Sequence, residues 1–213
     1  MNRIKLLATI VLLVISVSLN AQQKELIPDL SKATDAQVWT VHNRDVAYEE
    51  GAHLNGKPGD GFLRLNGKTF ANGSIELDIK GVDEQGRSFV GFAFHGLNDS
   101  TYDVIYFRPF NFRNPQRNRH SVQYVSLPEN DWYTLRTDHP GKYENLIIPA
   151  PIPADWFHAA ITIEYPVVKV FVNNAKEPSL IVNQLSSRKN GWIGFWVGNT
   201  SEGWFKNLKI TSK

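Results

Sequence analysis

The sequence predicts an all-β protein, built as a two-sheet antiparallel jelly-roll sandwich, and three observations lead to this prediction. Several segments alternate apolar and polar residues with period 2, as half-buried strands do. Turn-forming pairs such as Asn66-Gly67 and Asn190-Gly191 separate these segments. About a dozen short strands, with no linker or break in composition between them, fit one sandwich.

The alternating segments follow one another along most of the chain. Only residues 29–35 have a helical pattern, and residues 132–144 are expected to form a long loop. Pro58-Gly59, Asn72-Gly73 and Pro140-Gly141 supply further turn signals. The strands are predicted from these apolar positions: Ile75, Leu77 and Ile79; Val90, Phe92 and Phe94; Phe157, Ala159, Ile161 and Ile163; Val168, Val170 and Val172; Ile193, Phe195 and Val197.

Residues 1–21 have the pattern of a signal peptide and are set apart from the fold. Arg3 and Lys5 precede an apolar run over residues 6–19, and Ala21 is a small residue at the predicted cleavage point. The run is shorter than the roughly 20 residues of a comfortable membrane span. A retained N-terminal anchor is the alternative interpretation. The sandwich domain is accordingly predicted over residues 22–213.

The lack of cysteine bears on where the protein acts. An exported chain with no Cys cannot be a small disulfide scaffold, so its stability depends on its core. Export without disulfides favours a bacterial protein that is periplasmic, at the cell surface or secreted. No Cys follows the apolar run, which excludes a lipoprotein anchor.

The charge balance argues against two kinds of partner, nucleic acid and an anionic membrane. Removing residues 1–21 removes Arg3 and Lys5 and no acid, which leaves 21 basic and 21 acidic residues. A protein that binds nucleic acid or an anionic membrane needs a basic surface, which a neutral mature chain does not offer overall. We therefore expect neither partner.

The faces of the strands opposite the core predict a ligand groove. Gly91, Ala93 and His95 alternate with core phenylalanines, and Gly194 and Trp196 alternate with Phe195 and its neighbours. A solvated face would carry Lys, Glu and Thr instead. Small residues leave room, and aromatic side chains with polar tips can hold a sugar, so a concave sheet is expected here.

Residues 104–128 form the strongest candidate binding segment, because they contain four arginines and no Asp or Glu. Arginine supplies forked donors, and aromatic rings supply flat apolar platforms. Arg117 and Arg119 lie among Asn, Gln and Pro and are expected in an exposed loop. The predicted substrate-binding residues are Tyr106, Arg108, Asn111, Arg113, Gln123 and Tyr124, together with His95 and Trp196 on the groove face.

Candidate catalytic carboxylates are few. Glu144, beside Tyr143, is the preferred acid–base candidate, with Asp103 or Asp138 second; a surface acid is the alternative for each. A general acid needs a raised pKa, which aromatic surroundings supply. Glu76 and Asp78 share a strand face, but their alternation with Lys80 favours solvated charges over a catalytic pair.

No metal site or cofactor is predicted. The histidines have no ligand spacing with one another or with acids, and no Asp/Asn run supplies a calcium loop. No nucleophile-elbow, phosphate-binding or dinucleotide motif occurs. Trp39, Trp156 and Trp204 are expected to pack in the core or at its edge.

Four segments, residues 73–80, 89–94, 191–197 and 205–210, resemble the concanavalin A-like lectin/glucanase superfamily. The chain is also similar to exported Bacteroidetes proteins near the 3-keto-disaccharide hydrolase domain, in which segments like 106–112 and 123–124 recur. The resemblance implies a carbohydrate ligand and glycosidic cleavage. Laminarinase-type members carry a third acid after the Glu-x-Asp pair, where this chain has Gly81 or Lys80. That motif is incomplete here, so laminarinase-like chemistry is not supported.

Two functional hypotheses remain. The first is a glycoside hydrolase that acts on an oligosaccharide in a concave sheet groove. The alternative is a non-catalytic carbohydrate-binding module or lectin. A structural adhesion domain has less support, because its groove face would need neither Arg108 nor the small residues Gly91 and Ala93.

Overall fold

The computed structural model describes residues 24–213, in which two antiparallel sheets pack face to face. The predicted jelly-roll sandwich is confirmed, with fifteen strands in this part of the chain rather than about twelve. The predicted signal peptide, residues 1–21, lies outside the described residues. The strands are β1 Lys24–Leu26, β2 Trp39–His42, β3 Val46–Tyr48, β4 Ala52–Leu54, β5 Gly61–Leu65, β6 Gly73–Lys80, β7 Val90–Asn98, β8 Thr101–Phe107, β9 Val122–Ser126, β10 Glu144–Asn145, β11 Phe157–Glu164, β12 Val167–Val172, β13 Leu180–Asn183, β14 Trp192–Val197 and β15 Gly203–Ser212.

The two sheets are called the back sheet and the front sheet below. The back sheet has the order β13-β12-β11-β6-β15-β4-β3, and β1 also pairs with β15. The front sheet has the order β10-β9-β8-β7-β14-β5-β2. Strands distant in sequence are neighbours in both sheets, as in a jelly roll. Besides the strands, the described chain contains one α-helix and three short 3₁₀ helices: α1 Trp132–Asp138, and Leu30–Lys32, Pro109–Asn111 and Asn118–His120.

The back sheet is buried on one face only. In β6 and β11 every second residue is buried, and the register places Ile75 beside Ile161 and Ile79 beside Phe157. The intervening residues face outwards, which is the alternation typical of an antiparallel sheet with one solvated side. The period-2 prediction for these strands is confirmed.

The front sheet is buried on both faces. Almost every residue of β7, β8, β9 and β14 is buried, although the sequence alternates large and small side chains. Phe92 and Phe195 lie on the core side, where their rings meet edge to face at 5.7 Å. On the other face, a Cβ added at Gly91 would lie 2.1 Å from the Ile105 carbonyl oxygen, so only glycine fits there.

The expected long loop at residues 132–144 is wrong in part, because its first half is the helix α1. Asp131 caps this helix, since its carboxylate accepts a hydrogen bond from the Thr134 N–H at 2.7 Å. Leu135 is buried and anchors the helix against the sandwich. Only a turn over residues 139–143 separates α1 from β10. The helical pattern at residues 29–35 corresponds to the single 3₁₀ turn Leu30–Lys32.

In residues 24–213 no helix is both long enough and apolar enough to cross a membrane.

Core packing should dominate the stability of the sandwich, and two isoleucines of the back sheet test this. Ile161 is fully buried in β11, whereas Ile181 in β13 is 56% exposed. Ile161→Ala should lower the free energy of unfolding by about 2–5 kcal/mol, because it leaves a cavity. Ile181→Ala should change it by no more than about 0.5 kcal/mol. Urea unfolding of both variants measures this, and equal effects would contradict the assigned faces.

Candidate functional site

A row of side chains crosses the front sheet on the face away from the core. The register pairs each member with a residue of the next strand, from β5 through β14, β7, β8 and β9 to β10. Since directly opposite residues of an antiparallel pair point to the same side, the whole row shares one face. The row consists of Phe62, Trp196, Gly91, Tyr106, Gln123 and Glu144.

A cleft of about 620 Å³ opens above two members of this row, Tyr106 and Trp196. Its floor consists of Tyr102, Tyr106 and Trp196, and its walls include Phe89 and Trp132. The Trp196 indole N–H donates to the Tyr102 hydroxyl at 3.3 Å, and the Trp196 and Tyr106 rings lie 5.3 Å apart. These contacts hold the floor rigid, and the volume is within the range of small-molecule sites.

The polar part of the cleft is acidic. Asp60, Asp99 and Asp131 line it, each from a different connection between elements. The Tyr102 hydroxyl lies 3.5 Å from Asp60 Oδ2. Burial raises the pKa of Asp60 above its ordinary value, and the charge of Arg44 opposes this shift only in part. Asp60 therefore combines a carboxyl group, a cleft position and a raised pKa.

Behind the floor lies a cluster of buried polar groups around Arg108, which we call the Arg108 cluster. The Arg108 guanidinium donates to the Tyr106 hydroxyl at 2.5 Å and to Gln123 Oε1. It also donates to the His120 carbonyl at 3.0 Å, and the Tyr106 hydroxyl donates to Gln123 Oε1 at 2.8 Å. Burial raises the pKa of Tyr106 to about 12, so its hydroxyl stays a neutral donor.

Glu144 belongs to the same cluster. Arg136 donates two hydrogen bonds to its carboxylate, at 3.0 and 2.7 Å, and His120 Nδ1 lies 2.8 Å from Glu144 Oε1. Arg108 Nη1 is 3.7 Å from Glu144 Oε2. Burial alone would raise the pKa of Glu144, but the hydrogen bonds from Arg136 and His120 outweigh it and lower that pKa. A general acid needs the opposite shift.

The structure thus brings together six of the predicted site residues, in two neighbouring groups. Tyr106 and Trp196 form part of the cleft floor. Arg108, Gln123 and Glu144 are buried in the Arg108 cluster, and Asn111 joins it through a hydrogen bond to the His120 carbonyl at 3.1 Å.

Arg113 lies apart from both groups. Its Nε donates to the Pro151 carbonyl at 3.0 Å, which ties two loops together. The exposed loop expected for Arg117 and Arg119 is right only in part: Arg117 is half-buried and donates to Gln85 Oε1, whereas Arg119 is exposed but lies in the 3₁₀ helix Asn118–His120.

Tyr124 and Asp103 point to the core side of the front sheet, so the expected groove orientation of Tyr124 is wrong. The register places Tyr124 beside Ile105 and Asp103 beside Phe94, both of which face the core. The Tyr124 hydroxyl donates to Asp103 Oδ1 at 2.6 Å. Ser186 and Arg188 donate to Asp103 Oδ2 at 2.7 and 3.1 Å. Neither residue lines the cleft.

The expected groove orientation of His95 is also wrong, because a bulge interrupts β7. The register shifts between Phe94 and Asn98, and His95 has a φ of 50°. The ring is buried, with Nε2 2.8 Å from the Ala71 carbonyl oxygen and Nδ1 2.9 Å from Gln184 Nε2. Burial lowers the pKa of His95, which keeps the imidazole neutral. The contacts are those of a structural histidine.

The remaining candidates lie on or near the back sheet. Glu76 pairs with Lys209 at 3.1 Å, and Asp78 is 2.8 Å from His158, as expected of charges on an outer face. Trp156 and Trp204 are partly exposed, with Lys80 Nζ 5.2 and 4.9 Å from their ring centroids. Trp39 lies in the core against Phe195. Across residues 24–213, no three His, Cys, Asp or Glu side chains are grouped to hold a metal ion.

Sequence reasoning missed Asp60, Asp99, Asp131, Phe89 and Trp132. Trp132 is the first residue of α1 and the others lie in connections, so the five meet at the cleft only through tertiary packing. Two local signals were available. Pro58-Gly59 marks a turn immediately before Asp60, and Asp131 has the sequence context of a helix N-cap.

The ion pairs of Glu144 should stabilise the fold. Glu144→Gln should lower the free energy of unfolding by about 3 kcal/mol near neutral pH, since it leaves buried guanidinium charge without its partner. The matched change Glu76→Gln, at a part-exposed pair with Lys209, should cost at most about 1 kcal/mol. Denaturant unfolding of the two variants measures the difference.

The same variant has a predicted pH dependence. The pKa of Glu144 is lower in the folded state than in the unfolded state. Its contribution to the free energy of unfolding is therefore complete above the unfolded-state pKa of about 4.3 and is lost as the pH falls below that value and through the folded-state pKa. The stability difference between the parent and Glu144→Gln should therefore narrow below about pH 4. A difference that stays constant down to acidic pH would contradict this assignment.

No family model matches the chain, and no curated protein does. Solved structures do match it. The carbohydrate-binding module CBM66 from Bacillus subtilis superposes with a TM-score of 0.61 at 17% identity, over 81% of this chain and 94% of that one. A Parabacteroides distasonis protein provisionally described as a glycosyl hydrolase superposes with a TM-score of 0.56 at 16% identity, over 88% of this chain and 94% of that one. The carbohydrate recognition domain of Emp46p superposes with a TM-score of 0.56 at 16% identity, over 87% of this chain and 94% of that one. Likeness at this identity shows the fold alone, a sandwich of two antiparallel sheets.

Proposed function

We propose that this protein binds a carbohydrate chain in the cleft of the front sheet. The observation that carries the proposal is the combination of an aromatic floor and wall with several polar groups in one cleft of about 620 Å³. A sugar ring has an apolar C–H face and a rim of hydroxyls. Aromatic rings complement the face, and carboxylate and amide groups complement the hydroxyls.

Trp132 is the best placed platform. It is 48% exposed at the start of α1, whereas Tyr102, Tyr106 and Trp196 are nearly buried in the floor. The Arg136 guanidinium lies 5.2 Å from the Trp132 ring centroid and helps to fix the ring. A sugar that stacks on Trp132 would present its hydroxyls to the Asp60, Asp99 and Asp131 carboxylates.

Two further observations support a carbohydrate as the ligand. Structures with the same fold include one named as a carbohydrate-binding module and one named as a carbohydrate recognition domain. The signal-peptide pattern of residues 1–21 supports action outside the cytoplasm, where glycans are abundant. Fold analogy alone does not assign an activity, so the cleft itself remains the main argument.

Glycoside hydrolysis is a second candidate, and Asp60 favours it. Its raised pKa and its position beside Tyr102 suit a general acid that protonates a glycosidic oxygen. Hydrolysis also needs a second carboxylate, which Asp99 or Asp131 would supply from the other connections. Glu144 and Asp103 are held in buried hydrogen bonds outside the cleft, which weakens their candidacy.

Binding is tested with two adjacent aromatic residues. Trp132→Ala should weaken binding about tenfold or more, because it removes a stacking surface. Tyr133 is 63% exposed in the same helical turn but does not line the cleft, so Tyr133→Ala should leave affinity unchanged. Calorimetric titration with oligosaccharides of glucose, xylose, mannose and fructose measures the affinities. Equal effects of the two changes would contradict a cleft site.

Hydrolysis is tested by product release from plain and 3-keto-disaccharides. If Asp60 is the acid, Asp60→Asn should lower the rate about 100-fold or more while affinity is retained. Glu144→Gln should affect stability rather than the rate of the folded enzyme. Binding by the parent protein without release of any product would leave the binding function and remove the catalytic one.

A further inference from the structure

We propose that the cleft selects an amino sugar, a carbohydrate with free ammonium groups, and rejects sugars that carry carboxylate or sulfate. This inference rests on the proposed carbohydrate-binding function. It concerns the charge of the ligand.

The charges that face the cleft are negative. Asp60 precedes β5, Asp99 lies in the turn between β7 and β8, and Asp131 begins α1, so three separate connections each place a carboxylate there. No Lys or Arg is among the residues that line the cleft within the described chain. His42 is the basic group that lines it, and its Nδ1 lies 3.4 Å from Asp99 Oδ2.

The nearest guanidinium groups are already engaged. Arg44 lies behind the cleft and donates to the carbonyl oxygens of Asn43, Gly59 and Gly198. Arg108 is buried beneath Tyr106, and Arg136 donates twice to Glu144. A ligand in the cleft therefore meets carboxylates directly, while these cations contact other protein groups.

The aromatic floor reinforces this preference. Ring faces carry negative electrostatic potential and attract cations, most strongly where water is excluded. An ammonium group on the sugar can thus interact with ring faces and carboxylates at once. A sugar carboxylate in the same place would face like charge, which costs several kcal/mol when it is desolvated.

The test uses four β-1,4-linked tetrasaccharides of similar shape: chitosan tetramer with free amines, the N-acetylated chitin tetramer, cellotetraose, and cellotetraose oxidised to carboxylates at C6. Affinities are measured from mildly acidic to neutral pH, because acid protonates the amines whereas neutral pH favours the ionised form of Asp60, whose pKa is raised by burial. We expect the free-amine tetramer to bind at least about tenfold more tightly than the two neutral ones, and the oxidised tetramer most weakly. Added salt should reduce the preference.

A charge-matched pair of variants assigns the effect to the cleft. The triple variant Asp60→Asn, Asp99→Asn, Asp131→Asn should lose the preference, while asparagine retains the N-cap of α1. The control variant Asp83→Asn, Glu164→Gln, Glu177→Gln removes equal charge from exposed positions outside the cleft and should keep the preference. The single variant Asp99→Asn, at a 59% exposed side chain, provides a milder test that preserves the fold.

Equal or tighter binding of the oxidised tetramer, or a preference that survives the triple change, would overturn the amino-sugar inference while the binding function stands. Equal affinities for the neutral and the charged tetramers would also overturn the amino-sugar inference and leave the binding function in place. If none of the four binds, the proposed function fails for this class of glycan, and the inference fails with it.

Discussion

The candidate site depends on the hydrogen bonds donated by the buried Arg108 guanidinium. This group holds the Tyr106 hydroxyl and the Gln123 side chain on neighbouring strands, and it binds the carbonyl of His120 in the turn that precedes β9. A buried guanidinium is costly unless its donors are satisfied, so these partners are fixed by the need to pair it. The consequence is a rigid Tyr106, and Tyr106 supports Trp196 in the cleft floor.

Burial of both faces of the front sheet explains why such a polar cluster exists. The core side is filled by apolar rings, whereas on the other side Arg136 of α1 and His120 in the loop before β9 contact Glu144. Polar groups buried on that side must pair with one another, as Arg108, Arg136 and Glu144 do. The cleft opens on the same side of the sheet. The same double-sided burial therefore produces a rigid support and a concave site next to it.

The sequence predicted the sandwich well, because period-2 alternation in strands such as β6 and β11 follows directly from one-sided burial. It also placed Tyr106 and Trp196 on the groove face. The predicted orientation of the His95 side chain was wrong because a bulge interrupts the alternation in β7. The predicted orientation of Tyr124 was wrong because the face on which its side chain lies is set by the register of β9 with β8. Asp60 and Trp132 could not be brought together from sequence, because only the tertiary arrangement of the β4–β5 connection and α1 places both at the cleft.

A ligand in the cleft of the front sheet should change the surroundings of the cleft tryptophans. The indole N–H signals in a two-dimensional NMR spectrum, recorded while an oligosaccharide is added, measure this change. We expect the signals of Trp132 and Trp196 to shift, while those of Trp156 and Trp204 on the outer side of the back sheet stay in place. Shifts at Trp156 and Trp204, with Trp132 and Trp196 unchanged, would contradict a ligand in the cleft.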